Sequence, residues 1–264
     1  MELLALVAGW ALTRLIAPWQ RLHLARWGWL RNNFLGQPVV VGTGLLVAAG
    51  GALLALITGW LGAGQGPIVA LTVVMFAILG ALDDRLGDRS TGGFHGHLRA
   101  LWHGRFTTGA VKALGGGVIA LLVAWWWGGS ILMVVGHALL IALSANAINL
   151  LDLRPGRALK VAIPLLVAST LASGASWAGF TGGAIALLPE DLAGSAMLGD
   201  TGANALGAAA GLGILGFDVV WQAIFLIALV GLHLYTERHS LSELINRHRW
   251  LTAIDQWGRQ GRVP

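Results

Sequence analysis

Long stretches of this chain contain no charged residue, and the charges crowd into the short stretches between them. Only 11% of the 264 residues are charged and 56% are hydrophobic, whereas about 25% of the residues of an ordinary soluble domain are charged. A soluble protein of this length could not bury so much apolar surface. The pattern therefore predicts an all-α fold, namely a polytopic helical membrane protein.

The apolar segments number about nine, and each is delimited by charged or turn-forming residues. They cover residues 3–18, 39–60, 67–82, 109–127, 131–151, 161–173, 177–188, 201–215 and 219–235. A full crossing prefers roughly 20 residues, so whether the short seventh and eighth segments cross stays open. We expect residues 1–235 to form a transmembrane domain and residues 236–264 to form a basic amphipathic tail on the inner membrane surface.

The charges show a clear sidedness when the segments are threaded in alternation. All 17 Lys and Arg residues then fall on one face, and the opposite loops, at 61–66, 128–130, 174–176 and 216–217, are uncharged. The positive-inside rule makes the charged face cytoplasmic, with the N-terminus outside and the C-terminus inside the plasma membrane. Tryptophans such as Trp60, Trp125 and Trp177 fall at the expected outer boundary, as interfacial residues do.

The same sidedness explains the net charge of +5. Basic residues at the ends of membrane spans set topology and contact anionic headgroups, so they give no reason to expect a nucleic-acid partner. The chain has no cysteine, which excludes disulfides, thiolate chemistry and cysteine-based metal sites.

The first polar motif follows the third apolar segment directly. Asp83 and Asp84 end a run without charges, and Asp88 and His97 come shortly after them. Adjacent carboxylates repel each other, and a divalent cation with a phosphate ligand relieves that repulsion. The simpler alternative is that the aspartates are water-facing residues that end the helix. His97 is either a phosphate contact or an exposed loop histidine.

The second motif lies at the end of the fifth segment. Asn146, Asn149 and Asp152 are spaced three residues apart, so they lie on one face of a helix and offer two amides and a carboxylate toward the cytoplasm. The two asparagines suit either a ligand or hydrogen bonds between helices. Arg154 and Arg157 follow, and their guanidinium groups suit either phosphate recognition or topology.

The third motif is a carboxylate in a glycine-flanked turn. Asp200 stands between Gly199 and the pair Thr201-Gly202, where the next helix is expected to begin. Backbone N–H groups in such a turn can approach a phosphate closely. The alternative is that Asp200 is an ordinary helix N-cap.

These motifs, in this order, resemble those of the polyprenyl-phosphate N-acetylhexosamine-1-phosphate transferases, which form glycosyltransferase family 4. Residues 33–44 are similar to the family's first cytoplasmic motif, and Asp83-Asp84 to its aspartate pair. Residues 146–152 are similar to its asparagine–aspartate motif, and the turn at Asp200 to its magnesium-binding motif. The resemblance covers most of the chain.

The resemblance implies a reaction and a set of roles. A sugar-1-phosphate would pass from a UDP-sugar of the UDP-N-acetylhexosamine class to a polyprenyl phosphate, such as undecaprenyl phosphate, at the cytoplasmic membrane face. UMP would be released, and a cell-wall or surface glycan would be initiated. The implied catalytic residues are Asp83 and Asp84; the Mg²⁺ ligands are Asp200 and Asn149; the substrate-binding residues are Asn146, Asp152, Arg154, Arg157, Asp88 and His97.

Two departures from the family pattern keep alternatives open. Pro155 stands where the family has a second aspartate, and the histidine-rich last loop is reduced to His239 and His248. A non-catalytic homologue that binds lipid-linked sugars would explain both. A cation transporter is a further alternative, but it predicts acidic groups at the midplane or on both faces. The sequence identifies neither the sugar nor the downstream polymer, and a homodimer stays open.

The predicted topology can be tested with a reporter at the C-terminus. We expect alkaline phosphatase fused after residue 264 to be inactive, because the 17 basic residues hold that end in the cytoplasm. Alkaline phosphatase is active only in the periplasm, so an active fusion would contradict the orientation.

Overall fold

Helices account for nearly all of the regular structure. The computed structural model describes residues 1–33, 35–87 and 107–259, and this part of the chain contains eleven α-helices and one β-hairpin. The hairpin pairs β1 (Leu30–Asn32) with β2 (Pro38–Val40) in antiparallel register. The helices are α1 (Glu2–Arg26), α2 (Gly44–Thr58), α3 (Gly66–Leu86), α4 (Thr108–Trp127), α5 (Ile131–Leu151), α6 (Arg157–Ser173), α7 (Ala178–Leu192), α8 (Gly199–Ile214), α9 (Val219–Thr236), α10 (Leu241–Arg247) and α11 (Arg249–Gln256).

Helices α1 to α9 occur where the nine apolar segments were predicted. Within the described residues, six helices are long and apolar enough to cross a membrane: α1, α2 with the π-helical turn that extends it, α3, α4, α5 and α9. Helices α6, α7 and α8 are shorter, at 17, 15 and 16 residues. The chain is therefore an all-α protein with several helices of membrane-spanning length.

Helix α8 is the centre of the bundle. Every one of its residues except Asp200 is buried, because α2, α3, α5 and α6 pack around it. Its sequence is mostly glycine and alanine, as expected where helix backbones approach each other closely. A helix surrounded by protein needs few large apolar side chains.

Three glycines of α8 lie directly against neighbouring backbones. A Cβ atom on Gly202 would lie 2.5 Å from the Cα atom of Gly44, and one on Gly207 would lie 2.5 Å from the carbonyl oxygen of Ser144. A Cβ atom on Gly211 would lie 2.8 Å from the carbonyl oxygen of Leu140. No side chain fits at these distances without moving a helix.

The segment before α2 holds the segment before α8. Val40 forms a bridge with Ala196, the hydroxyl of Thr43 donates to the Met197 carbonyl over 2.9 Å, and the Gly44 N–H donates to the Leu198 carbonyl over 3.1 Å. The loop that resembles the first cytoplasmic motif thus fixes the chain that enters the central helix.

Four of the tryptophans that were predicted at the outer boundary differ in exposure. Trp60, Trp125 and Trp221 are 86%, 70% and 56% exposed, so their indoles are accessible from outside the bundle. Trp177 is fully buried, and its indole N–H donates to the Ala209 carbonyl of α8 over 2.8 Å. The prediction of an interfacial Trp177 was therefore wrong, because this indole packs against the central helix.

The packing of α8 predicts a strong effect of one methyl group. Gly207→Ala should lower the free energy of unfolding by about 1–3 kcal/mol, because the new Cβ meets rigid backbone. The measurement is the unfolding of the purified protein in detergent.

The matched control is Gly136→Ala on α5, where an added Cβ meets no described atom within 4 Å. Alanine is the better helix former, so this variant should be as stable as the parent or slightly more stable. Equal stability of the two variants would contradict the close packing of α8.

Candidate active site

Three of the sequence motifs meet at one end of the bundle. Asp83 and Asp84 lie in the last turn of α3, and Asn149 lies near the end of α5. Asp200 lies in the first turn of α8, and Lys112 in the first turns of α4. The convergence follows from the packing of α8 against both α3 and α5, and of α3 against α4.

The carboxylate of Asp84 binds the N-terminus of α8. It accepts from the backbone N–H groups of Asp200 over 3.0 Å and Thr201 over 2.9 Å, and from the Thr201 hydroxyl over 2.6 Å. The first N–H groups of a helix lack intrahelical acceptors, and a negative charge there also interacts favourably with the helix dipole. Asp84 therefore satisfies buried donors that would otherwise be unpaired.

Asp152 also binds the N-terminus of α8, at Gly199, one residue before the first contact of Asp84. Its carboxylate accepts from the Gly199 N–H over 3.0 Å. Burial raises the pKa of Asp152 well above its ordinary value, and the nearby carboxylates of Asp191, Asp200 and Asp84 raise it further. A cation bound near these carboxylates would favour their ionised forms.

Lys112 supplies a cation between two of the carboxylates. Its ammonium group lies 3.0 Å from Asp83 Oδ2 and forms a second ion pair with Asp200. The Asn149 amide satisfies both neighbours when Nδ2 donates to Asp200 Oδ1 over 3.1 Å and the amide oxygen accepts from Lys112 Nζ over 3.1 Å. Sequence reasoning missed Lys112, although it is the one charged residue between positions 108 and 127.

These contacts decide between the two interpretations of Asp200. Its side chain faces Lys112 and Asn149, while Asp84 and Asp152 accept from the backbone N–H groups at the start of α8. Asp200 is therefore not the N-cap of that helix, and its carboxylate is available for another role.

The donor set suits a magnesium ion in kind. Asp83, Asp200 and Asn149 offer carboxylate and amide oxygens, and Mg²⁺ is usually held by one or two carboxylates together with substrate phosphates. Among the described residues, no group of three or more His, Cys, Asp and Glu side chains could hold a metal ion.

A cleft opens beside this cluster. It is small and partly open to the surroundings, and it is lined by Asn33, Asp152, Arg154, Asp191 and Met197, among others. Sequence reasoning missed Asp191, whose buried carboxylate accepts from the Gly156 N–H over 3.0 Å. The only signal in the sequence was an acidic pair at the end of the seventh segment.

The other residues that were predicted to bind substrate lie in different places. Asn146 is partly buried one turn before Asn149, without a side-chain hydrogen bond to the part of the chain that the structure describes. Arg154 lines the cleft. Asp88 and His97 lie outside the described residues.

Arg157 binds the C-terminal segment. Its buried guanidinium donates to both carboxylate oxygens of Asp255, over 2.7 and 3.0 Å, and to the Ser242 hydroxyl over 3.1 Å. This bidentate pair takes up the donors that were predicted to contact substrate, so Arg157 serves to hold the tail.

No protein-family model matches this chain, and no curated protein is significantly similar to it.

The structure gives the two adjacent aspartates, Asp83 and Asp84, different roles in stability. Asp84→Asn should lower the free energy of unfolding by about 1–3 kcal/mol, because an amide cannot accept all the hydrogen bonds from the start of α8. Thermal unfolding in detergent measures the loss.

Asp83→Asn is the matched comparison, since its side chain contacts Lys112, which keeps its ion pair with Asp200. We expect its stability to lie close to that of the parent. A loss as large as that of Asp84→Asn would contradict the assignment of Asp84 to the helix terminus.

Proposed function

We propose that this protein is a Mg²⁺-dependent phosphoglycosyl transferase of the plasma membrane. The proposal is carried by one observation, the meeting of Asp83, Asp200, Asn149 and Lys112 at one end of the bundle, with Asp84 bound to the start of α8. The resemblance of the motifs to glycosyltransferase family 4 supports the same reaction.

In this proposal all nine helices from α1 to α9 cross the membrane, the three short ones included, with the N-terminus outside and the site at the cytoplasmic face. The concentration of basic residues in the loops at that end supports the orientation. The short length of α8 is compatible with this arrangement, because α8 is surrounded by other helices instead of lipid.

The reaction is a phosphoryl transfer between a UDP-sugar and a polyprenyl phosphate. An oxygen of the polyprenyl phosphate forms a bond to the β-phosphorus, and the bond from that phosphorus to the bridging oxygen breaks. The bridging oxygen leaves with UMP, and the sugar phosphate stays on the lipid as a diphosphate. Such reactions need alignment and stabilisation of oxygen charge more than covalent help from the protein.

Asp84 is a positioning residue in this scheme, because both of its oxygens already accept hydrogen bonds from α8. By fixing the first turn of that helix it fixes the carboxylate of Asp200. Asp83 pairs with Lys112, and its side chain is 21% exposed, so it is the better candidate to contact both the metal ion and the attacking phosphate.

Asp200, Asn149 and Asp83 would hold the Mg²⁺ ion. The bound ion would neutralise the diphosphate and orient it. The ammonium group of Lys112 now binds the same two carboxylates. It would have to give up at least one of them, and a phosphate oxygen of the substrate is the natural new partner for it.

The cleft beside the cluster would bind the UDP-sugar. Asp152 and Asp191 offer acceptors for hydroxyl or imide N–H groups, and Arg154 suits a phosphate. Asn146, Asp88 and His97 stay predicted contacts of the same substrate. Pro155 lines this cleft, where the family has an aspartate, so the choice of sugar is expected to depend on it.

Two alternatives make different predictions. A non-catalytic homologue would bind lipid-linked sugars but release no UMP, and the loss of an acidic residue at Pro155 favours it. A cation transporter requires ionisable groups along a path through the membrane. The carboxylates described above gather at one end of the bundle, which disfavours transport.

The test is UMP release by the purified protein with Mg²⁺, undecaprenyl phosphate and a panel of UDP-sugars. Asp200→Asn should stay folded, because Asp84 and Asp152 bind the helix terminus. It should lose activity on the order of a thousandfold. Asp218→Asn, an exposed aspartate just before α9, is the matched control and should stay active.

Two outcomes would overturn the proposal. Normal UMP release by Asp200→Asn would end the catalytic interpretation of the cluster. If the parent protein releases no UMP with any of the UDP-sugars, the result would favour the non-catalytic homologue. In an active enzyme, the losses from Asp200→Asn and Asp84→Asn should be less than additive, since either change disrupts the same assembled site.

A further inference from the structure

Helix α11 presents an apolar face to its surroundings. Trp250, Ile254 and Trp257 are 64%, 55% and 75% exposed, while Asp255 is only 8% exposed. At the helical repeat, Trp250, Ala253 and Ile254 lie on one face of α11, and Asp255 lies on the opposite face. Trp257 follows the last residue of the helix. A helix on the surface of a soluble protein normally buries its apolar face. In α11, by contrast, the acidic face lies inside the protein and the aromatic face is exposed.

Charged groups hold the inner face of α11 in place. Asp255 pairs with Arg157 and with Arg259, and the ammonium group of Lys160 donates to the Ile254 and Asp255 carbonyls over 3.1 and 2.6 Å. Burial by itself would raise the pKa of Asp255, but hydrogen bonds and charge from the two guanidinium groups lower it below its ordinary value. The carboxylate is thus ionised at neutral pH, and the helix is firmly attached.

The attachment point fixes the level of α11 relative to the long helices. Arg157 and Lys160 lie in the first turn of α6, a few residues after the membrane-length helix α5 ends at Leu151. Helix α11 is therefore attached close to the end of the membrane-length helix α5, and in a membrane that end would lie at the level of the lipid headgroups.

We propose that α11 lies in the headgroup region of an anionic membrane and inserts Trp250, Ile254 and Trp257 between the lipids. Tryptophan favours this region of a bilayer, and basic groups beside an apolar face attract anionic lipids. Arg247 and Arg249 are exposed and come directly before Trp250 in the chain, apart from His248, and they complement such headgroups. Arg259 is not part of this surface, because its side chain is only 5% exposed and binds Asp255.

The lipid contact has a consequence for the cleft. Arg259 donates to the Pro155 carbonyl over 2.8 Å, and the pair of Arg157 with Asp255 holds the residues directly after it. Membrane binding by α11 would therefore hold the loop that carries Arg154 at a fixed depth beside the membrane. The lipid contact itself does not depend on the proposed reaction.

The absence of cysteine from the chain allows a clean test with single spin labels. The full chain carrying Ile254→Cys is labelled with a nitroxide and reconstituted in phosphatidylcholine vesicles that contain phosphatidylglycerol. Collision with apolar oxygen is compared with collision with a water-soluble nickel complex. Gln256→Cys is the matched control, because Gln256 is exposed on the same helix away from the apolar face.

We expect the label at position 254 to favour oxygen several-fold over nickel, and the label at position 256 to show the reverse. Equal access of nickel to both labels would overturn the proposal. A label at 254 that is shielded from both reagents would also overturn it, because it would indicate a second protein surface.

The basic residues provide an independent check of the choice of lipid. Combining Arg247→Gln and Arg249→Gln with the label at 254 should raise its exposure to nickel in anionic vesicles and change little in pure phosphatidylcholine. The same change in both vesicles, or in neither, would contradict the role of anionic headgroups.

Discussion

Helix α8 begins in the interior of the protein, and its first N–H groups have to find acceptors there. Unpaired backbone donors are costly in a buried or membrane environment. Asp84 and Asp152 supply the acceptors, so carboxylates at the ends of α3 and α5 are a structural requirement of this fold. The same requirement fixes the first turn of α8 and aims the side chain of Asp200 at Lys112.

Close contacts between helix backbones hold this arrangement in place. Gly80 of α3 lies against the start of α8, where an added Cβ atom would be 2.2 Å from the Asp200 carbonyl oxygen, and Gly207 lies against α5. Because the helices touch through backbone, the ends of α3 and α5 cannot shift without breaking these contacts. The position of the candidate site thus depends on glycines that have no polar chemistry of their own.

The helices and the polar cluster could largely be predicted from the sequence, because absence of charge marks helices and a spacing of three residues marks a helix face. The pairs of side chains that meet between helices could not be predicted in this way. Lys112 lies far along the chain from both Asp83 and Asp200, and no local pattern reports such a pairing. The same holds for Arg157, whose partner Asp255 comes from the C-terminal segment. A basic residue near a span end looks the same whether it sets topology, binds phosphate or holds another segment.

The binding of Mn²⁺ in place of Mg²⁺, followed by paramagnetic resonance of the purified protein in nanodiscs, tests the central claim most directly. Asp83 and Asp200 should bind the ion weakly alone and more tightly when a UDP-sugar completes the coordination shell. Asp200→Asn should abolish this nucleotide-dependent binding, whereas Asp218→Asn should leave it unchanged. Equal Mn²⁺ binding by the parent and Asp200→Asn, with or without UDP-sugar, would contradict a metal-dependent site at this cluster.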